Sequence, residues 1–224
     1  MRSLFTDRFG GVSVAPFKSL NLALHVGDDP ARVACNRDLL RQNIGASKLV
    51  FMEQIHGDTV VRIETGDEKP VCDAMITDQE GIGLVVMVAD CIPVLLWDEA
   101  TRAIGVAHAG REGTRLGVAQ KCALAMRESY GVDLKTLHVS MGPSIHACCY
   151  EVGLEVTKGF ENFLHVRNEK YFLDLQRCNE EAFKMIGLLP EHIEVSNECS
   201  CCSKRFFSYR REQKTGRFAG AICL

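Results

Sequence analysis

The sequence carries no large excess of either charge: 26 lysine and arginine residues stand against 29 aspartate and glutamate residues, for a formal charge of −3. A general attraction to nucleic acid or to an anionic membrane surface is therefore not expected, and any anionic ligand must be gripped by local Arg or Lys side chains or by backbone N–H groups. No apolar run reaches the roughly 20 residues of a membrane span. The longest, Ile82 to Trp97, is interrupted by Asp90 and Pro93 and reads as core. Internal repeats and low-complexity tracts are missing as well. Met1-Arg2-Ser3-Leu4-Phe5-Thr6-Asp7 lacks the apolar centre of a secretory signal, so a cytoplasmic location is expected.

Cysteine, by contrast, is abundant. The count of eleven is odd and the chain of 224 residues is long for a disulfide scaffold, so the thiols are expected to be reduced. Cys199-Ser200-Cys201-Cys202 would suggest zinc only with a second pair of ligands. Cys223 is a lone thiol, and adjacent cysteines such as Cys148-Cys149 seldom ligate one ion comfortably. Both segments are therefore read as structural thiols.

About the centre lies IGLVVMVADCIPVLLWDEATRAIGVAHAGREGT, Ile82 to Thr114. Short apolar runs bounded by turn signals predict buried strands at Ile82–Val88, Val94–Trp97 and Ala103–Ala107. Metal-competent residues follow directly on those runs at Ala89-Asp90-Cys91 and Ala107-His108-Ala109-Gly110, and ends of buried strands line crevices.

Around this centre, alternation predicts a strand over Ser19–His25. A helix is predicted from Pro30, with Val33, Leu40 and Ile44 on one face and Gly45 closing it. On spacing alone Arg37 is a solvated helix charge. Leu49–Gln54 and Thr59–Ile63 predict strands flanking Gln54-Ile55-His56-Gly57-Asp58, with Gln54 and His56 on one face if the first strand continues. Arg111–Tyr130 predicts one helix, whose N-terminal N–H groups lie beside His108. Leu137–Met141 and Ile193–Val195 are further strands. Asp174 caps a helix with Leu175, Cys178, Ala182 and Met185 inward, and the two runs at 205–211 and 216–222 predict a C-terminal hairpin. One α/β domain over residues 1–224 accommodates these elements.

His56, Cys91 and His108 each sit near a predicted strand end among small neighbours, as a pocket requires. Two imidazoles and a thiolate suit zinc, and three protein ligands leave the fourth tetrahedral position to water, which is the catalytic rather than the structural arrangement. Asp73, Asp90 and Gln54 are candidates to orient the histidines.

Several motifs occur in order along the whole chain: Gln54-Ile55-His56-Gly57, Asp73-Ala74-Met75-Ile76-Thr77, Ala89-Asp90-Cys91-Ile92-Pro93, His108-Ala109-Gly110, Gly142-Pro143-Ser144-Ile145, Cys149-Tyr150-Glu151-Val152 and Phe206-Phe207-Ser208-Tyr209-Arg210-Arg211. Together they resemble the YfiH-like laccase-domain family, whose members are labelled multicopper polyphenol oxidase, purine nucleoside phosphorylase or peptidoglycan editing factor. The resemblance implies a single α/β (α+β) domain of two packed mixed sheets with helices outside. It also implies a metal held by His56, Cys91 and His108, and places Arg37 near the metal pocket. Phosphorolysis of adenosine, inosine, guanosine and methylthioadenosine, and deamination of adenosine, are the implied activities. Zinc is expected rather than copper, because multicopper centres need many more clustered histidines.

Where the family usually has Trp-Arg-Gly-Thr, this chain reads Arg111-Glu112-Gly113-Thr114. Glu112 would repel an anion unless Arg111 compensates. His56, Cys91, His108 and Asp73 are thus assigned to catalysis, with Asp73 or Glu112 as proton shuttle, and Asn21, Arg37 and Arg111 to substrate binding. The expected ligands are a nucleoside and phosphate, bound by a monomer or homodimer without nucleic acid or membrane. Two alternatives accompany this reading: a cysteine hydrolase or amidase acting on peptidoglycan precursors, with Cys91 as nucleophile, His108 as base and His56 as orienter; and a non-catalytic metal- or redox-responsive module built on Cys199-Ser200-Cys201-Cys202.

Overall fold

The computed structural model describes residues 1–224. In chain order the elements are β1 (Arg2–Phe5), α1 (Pro30–Ile44), β2 (Lys48–Phe51), β3 (Val60–Arg62), β4 (Ala74–Thr77), β5 (Ile82–Val88), β6 (Ile92–Asp98), β7 (Ala103–Ala109), α2 (Arg111–Leu116), α3 (Val118–Tyr130) and β8 (His138–Met141). There follow β9 (Glu151–Val152), β10 (Leu164–Arg167), β11 (Lys170–Leu173), α4 (Leu175–Met185), β12 (Ile193–Val195), α5 (Tyr209–Glu212) and β13 (Phe218–Cys223). No helix is long and apolar enough to cross a membrane.

The apolar runs become the central strands because neither of their faces meets water. β5 and β7 are buried at every position, which is why they read as continuous rather than alternating hydrophobic segments. Two mixed sheets result, one of four strands in the order β1-β13-β5-β2 and one of six in the order β12-β8-β6-β7-β4-β3. Between them lies a core that includes Leu84, Val86 and Ile222 from the smaller sheet and Met75, Leu95 and Val106 from the larger. α1 covers the outer face of the smaller sheet through Leu40 and Ile44. α3 and α4 cover the outer face of the larger one, with Val118, Ala119, Cys122, Ala123, Met126 and Phe183. The layers therefore run helix, sheet, sheet, helix, as expected of an α/β chain with helices outside. A third sheet, β10-β11-β9, was not anticipated.

Several local expectations change. Ser19–His25 forms no strand. Asn21 instead bonds to the backbone of Ala23, and Asn36 reaches the carbonyls of Ser19 and Asn21, so side chains take the place of ladder partners. The single helix expected over Arg111–Tyr130 is two, because Gly117 adopts a left-handed conformation with φ 76° and ends α2. β2 stops at Phe51, so alternation cannot place Gln54 and His56 on one face. In α4, Met185 is 86% exposed and Phe183 is the buried anchor. The C-terminal hairpin does not form either: the Ser208 side chain accepts from Arg211 N and caps α5, leaving β13 to pair with β1 and β5.

Candidate active site

Sheet register assembles the site. In the antiparallel pairing of β4 with β7, Ala74 lies opposite Ala107, which puts Asp73 beside His108. In the pairing of β6 with β7, Ile92 lies opposite Ala109, which brings Cys91 to Gly110. Close approach follows from the missing side chain, since a Cβ on Gly110 would stand 2.9 Å from Cys91 Sγ and 3.3 Å from the His56 ring.

Asp73 then recruits the third member. Its carboxylate, fully buried, accepts the N–H groups of Ile55 (3.2 Å), His56 (3.0 Å) and Gly57 (2.6 Å), and so folds the turn after β2 onto the end of β7. His56 sits in this turn at φ 61°, a left-handed conformation uncommon for a non-glycine residue. The same carboxylate lies 2.8 Å from His108 Nδ1, leaving Nε2 as the free ring nitrogen. The ligand atoms of His56, Cys91 and His108 all lie within 4.8 Å of one another, and the two imidazoles meet edge to face at 4.7 Å. This is a possible His-Cys-His metal site, and Asp73 supplies the carboxylate–histidine support such ligands ordinarily have.

The electrostatics favour a thiolate. Burial pushes the Cys91 thiol up, but His108 and His56 beside it outweigh burial and bring it down to about 6. Burial likewise disfavours a charged His108, and Cys91 and Asp73 reverse that, lifting it to about 9. At neutral pH the metal-free site therefore holds a thiolate–imidazolium pair. Iodoacetamide alkylation of Cys91 in chelator-stripped protein is expected to be half-maximal near pH 6 and to fall below it. A midpoint near the ordinary thiol value of about 8.5 would mean that no such pair forms.

The group opens into a cleft of about 1180 Å³. Arg37 lines it, donating through Nε to Leu22 O at 2.8 Å and stacking on Phe51 at 3.8 Å, so the spacing-based reading of a solvated charge does not hold. Burial lowers its guanidinium to about 10, which leaves it charged at neutral pH. Arg111 also lines the cleft.

Other assigned residues have different work. Asn21 is fully buried and is not part of the lining. It bonds to Ala23 and Asp28 and accepts from Arg217 N at 2.9 Å, so it positions Arg217 rather than touching a ligand. Gln54 exchanges bonds with both backbone groups of Met87, extending the edge of β5, and does not orient a histidine. Asp90, at φ 97°, accepts from Ser200 Oγ and from Arg210 N, each at 2.7 Å, and ties the Cys91 turn to the C-terminal loop. Glu112 is held by Arg115 in an exposed ion pair outside the cleft, so it neither repels a bound anion nor shuttles protons there. Asp73, enclosed by its four donors, is a positioning residue.

Sequence reasoning missed Arg217, His25, Tyr150, Tyr209 and Arg210, all of which line the cleft. Partial burial, then the charges of Arg217 and Arg37, push the His25 imidazole down and favour its neutral form, so two guanidinium groups and a neutral imidazole converge here. Only the resemblance-bearing Phe206–Arg211 and Cys149–Val152 segments pointed toward part of this set.

Comparison with known proteins finds relatives along the whole chain. The family described as multi-copper polyphenol oxidoreductase laccase matches residues 2–224. A purine nucleoside phosphorylase of Corynebacterium glutamicum is 40% identical over 233 residues, covering 100% of this chain and 94% of its own. The crystal structure of YfiH from Bacillus licheniformis, described as hypothetical, superposes with a TM-score of 0.93 at 31% identity, covering 99% of this chain and 92% of that one. YlmD of Geobacillus stearothermophilus superposes with a TM-score of 0.92, also at 31% identity, covering 99% and 90%. A layered fold with mixed sheets, a match along its whole length and relatives of this similarity make the chain a member of the YfiH-like multi-copper polyphenol oxidoreductase laccase family.

Proposed function

We propose that the chain is a zinc-dependent purine nucleoside phosphorylase. The observation that carries this reading is the His56–Cys91–His108 group in a cleft that Arg37, Arg111 and Arg217 also line. The names of the relatives supply the substrate class. Two imidazoles and one thiolate would hold zinc, which when bound contributes Lewis-acid polarisation and an open coordination position. The multicopper chemistry in the family description needs several linked copper sites. Only two side-chain groups here could hold a metal, and one of them contains no histidine.

In the proposed reaction an oxygen of hydrogen phosphate bonds to the ribose C1′, the C1′–N9 bond breaks with its electron pair passing to the departing purine, and the proton the phosphate loses balances the one the purine gains. Arg37 and Arg217 hold the phosphate by charge-assisted hydrogen bonds, a role for which a guanidinium still charged at neutral pH is suited. Arg111 adds a third guanidinium to the cleft lining. Tyr150 and Tyr209 offer flat faces to the purine. Asp73 keeps His108 in one orientation throughout. Adenosine, inosine, guanosine and methylthioadenosine are the expected substrates, with deamination of adenosine as a second activity of the same centre.

The test is incubation of metal-replete protein with adenosine and phosphate. Adenine with ribose 1-phosphate, and inosine from deamination, are the expected products; formation of none of them would refute the proposal. Arg217→Ala and Arg37→Ala should each raise KM for phosphate roughly 10- to 100-fold, the loss of one charge-assisted bond, with a smaller change in KM for the nucleoside.

A specific observation also favours a second reading. Cys91, His108 and Asp73 form a thiolate–imidazole–carboxylate relay, and the residue that orients His108 is Asp73 rather than His56. Such a relay suits a cysteine hydrolase or amidase. Activity toward an amide substrate that survives a strong chelator would support it.

A further inference from the structure

Two cysteine segments that look unrelated in the sequence meet in space. Cys148 and Cys149 lie in the turn after β8, Cys199 and Cys202 in the loop after β12, and their four sulfur atoms all lie within 4.8 Å of one another. We propose that Cys148, Cys149, Cys199 and Cys202 form a second metal site, a closed tetrathiolate that binds zinc and clamps these two loops together behind the cleft wall.

Distance is the first argument. Zn–S bonds of about 2.3 Å in a tetrahedron place sulfurs about 3.8 Å apart. The observed separations are 3.8 Å for Cys148–Cys149, 3.5 Å for Cys148–Cys202 and 3.3 Å for Cys149–Cys202, so the adjacent pair, against the expectation from its sequence, holds its two sulfurs one tetrahedral edge apart. Disulfides have sulfurs about 2.05 Å apart, and all eleven cysteines are free thiols. A disulfide would also engage sulfurs in pairs, whereas here four converge on one point.

The backbone around the sulfurs forms the second argument. Cys199 and Cys202 have the Cys-x-x-Cys spacing of a zinc knuckle. Ser203 N donates to Cys199 O at 2.9 Å and closes that turn, and His146 N points at Cys199 Sγ at 3.5 Å. Arg211 donates to the carbonyls of Ser200, Cys201 and Ser203, holding the knuckle in shape. Ser200 N bonds to Ser144 O at 2.9 Å, joining the knuckle to the segment that carries Cys148 and Cys149. Arg210 donates to the carbonyls of Cys149 and Glu151. Two guanidinium groups thus lie beside a cluster that would carry a charge of about −2 once four thiolates surround a divalent ion. Thiolate-only tetrahedral coordination selects zinc over harder cations, and four protein ligands leave no vertex for chemistry.

The loops so joined reach the catalytic group. Tyr150 and Ile145 on one side, and Tyr209 and Arg210 on the other, line the cleft. Ser200 and Arg210 N hold Asp90, the neighbour of Cys91. The tetrathiolate therefore acts as a structural support for the cleft wall, independent of what the first site binds.

The experiment is metal analysis of full-length protein purified with a thiol reductant, in the wild type, in His56→Ala and in Cys199→Ser/Cys202→Ser. The double serine variant should lose one zinc per chain relative to the wild type, while His56→Ala keeps one. Titration of the wild type with a mercurial should release that zinc as four thiols react, which tests the site even if the serine variant fails to fold. Unchanged zinc in a folded double variant, no zinc in His56→Ala, iron in place of zinc, or these four thiols recovered as disulfides would each overturn the proposal. Failure of the phosphorylase reading would leave these measurements unaffected, because none of them reads turnover.

Discussion

His56→Ala should lose one bound metal per chain and, with it, roughly 1,000-fold or more in kcat/KM for phosphorolysis, the several kcal/mol that a Lewis-acid centre contributes to a transition state. The size of the effect discriminates between the two enzymatic readings. His56 is a ligand in the metal site, yet the Cys91–His108–Asp73 relay does not need it. If Cys91 were the nucleophile, the variant would keep most of its activity through His108, with its alkylation profile moved to higher pH by the loss of the His56 contribution. Alanine is not at ease at φ 61°, so thermal stability should be compared with that of chelated wild type. Retained metal and turnover in a folded variant would exclude the metal reading.

Asp73→Asn should damage both fold and site. Asp73 Oδ1 faces His56 N and His108 Nδ1, and Oδ2 faces Ile55 N and Gly57 N. An amide must turn its NH2 toward one of these sets. Turned toward Oδ2, it meets two N–H donors with nothing to accept them. Turned toward Oδ1, it meets His56 N–H and forces His108 into the tautomer that carries its proton on Nε2, the atom a metal needs. Loss of a buried charged partner costs about 3 kcal/mol, so the melting temperature should drop roughly 6–12 °C in a chain of this length, and metal affinity by roughly 10- to 100-fold. Burial alone would raise the Asp73 carboxyl, but the bonds from His108 and Gly57 outweigh burial and hold it below the usual range. Its contribution is therefore complete at neutral pH and disappears as pH falls through that lowered value. An unchanged melting temperature together with unchanged metal affinity would show that Asp73 does not support the site.

How legible each part was in the sequence follows from the kind of interaction involved. β5, β6 and β7 could be read directly, because a strand buried on both faces must be continuously apolar. α1 was equally plain, with Pro30 at its start and Gly45 in a left-handed conformation at its end. The Ser19–His25 segment misled because its alternation of apolar and polar residues serves side-chain bonds from Asn21 and Asn36, which leave no period to distinguish them from a strand. The 205–211 run misled for a related reason: Phe206 and Phe207 are buried as a strand would bury them, but Ser208 then caps a helix.

The sequence by itself determined the buried centre of the chain, the positions at its strand ends where chemistry could sit, and the identity of the three candidate ligands. These depend on local composition and short periods, which a one-dimensional reading can see. Tertiary structure alone decided the tasks of the polar residues. It made Asp73 a positioning residue, turned Glu112 out to Arg115, gave Gln54 and Asn21 to the backbone, and put Arg217 in the cleft. It also brought the Cys148-Cys149 turn to the Cys199–Cys202 knuckle. Apart from the Glu112–Arg115 pair, one turn apart in α2, such contacts join residues 17 or more positions apart through sheet register and loop closure, and no short-range pattern in the chain encodes which distant partner a side chain will meet.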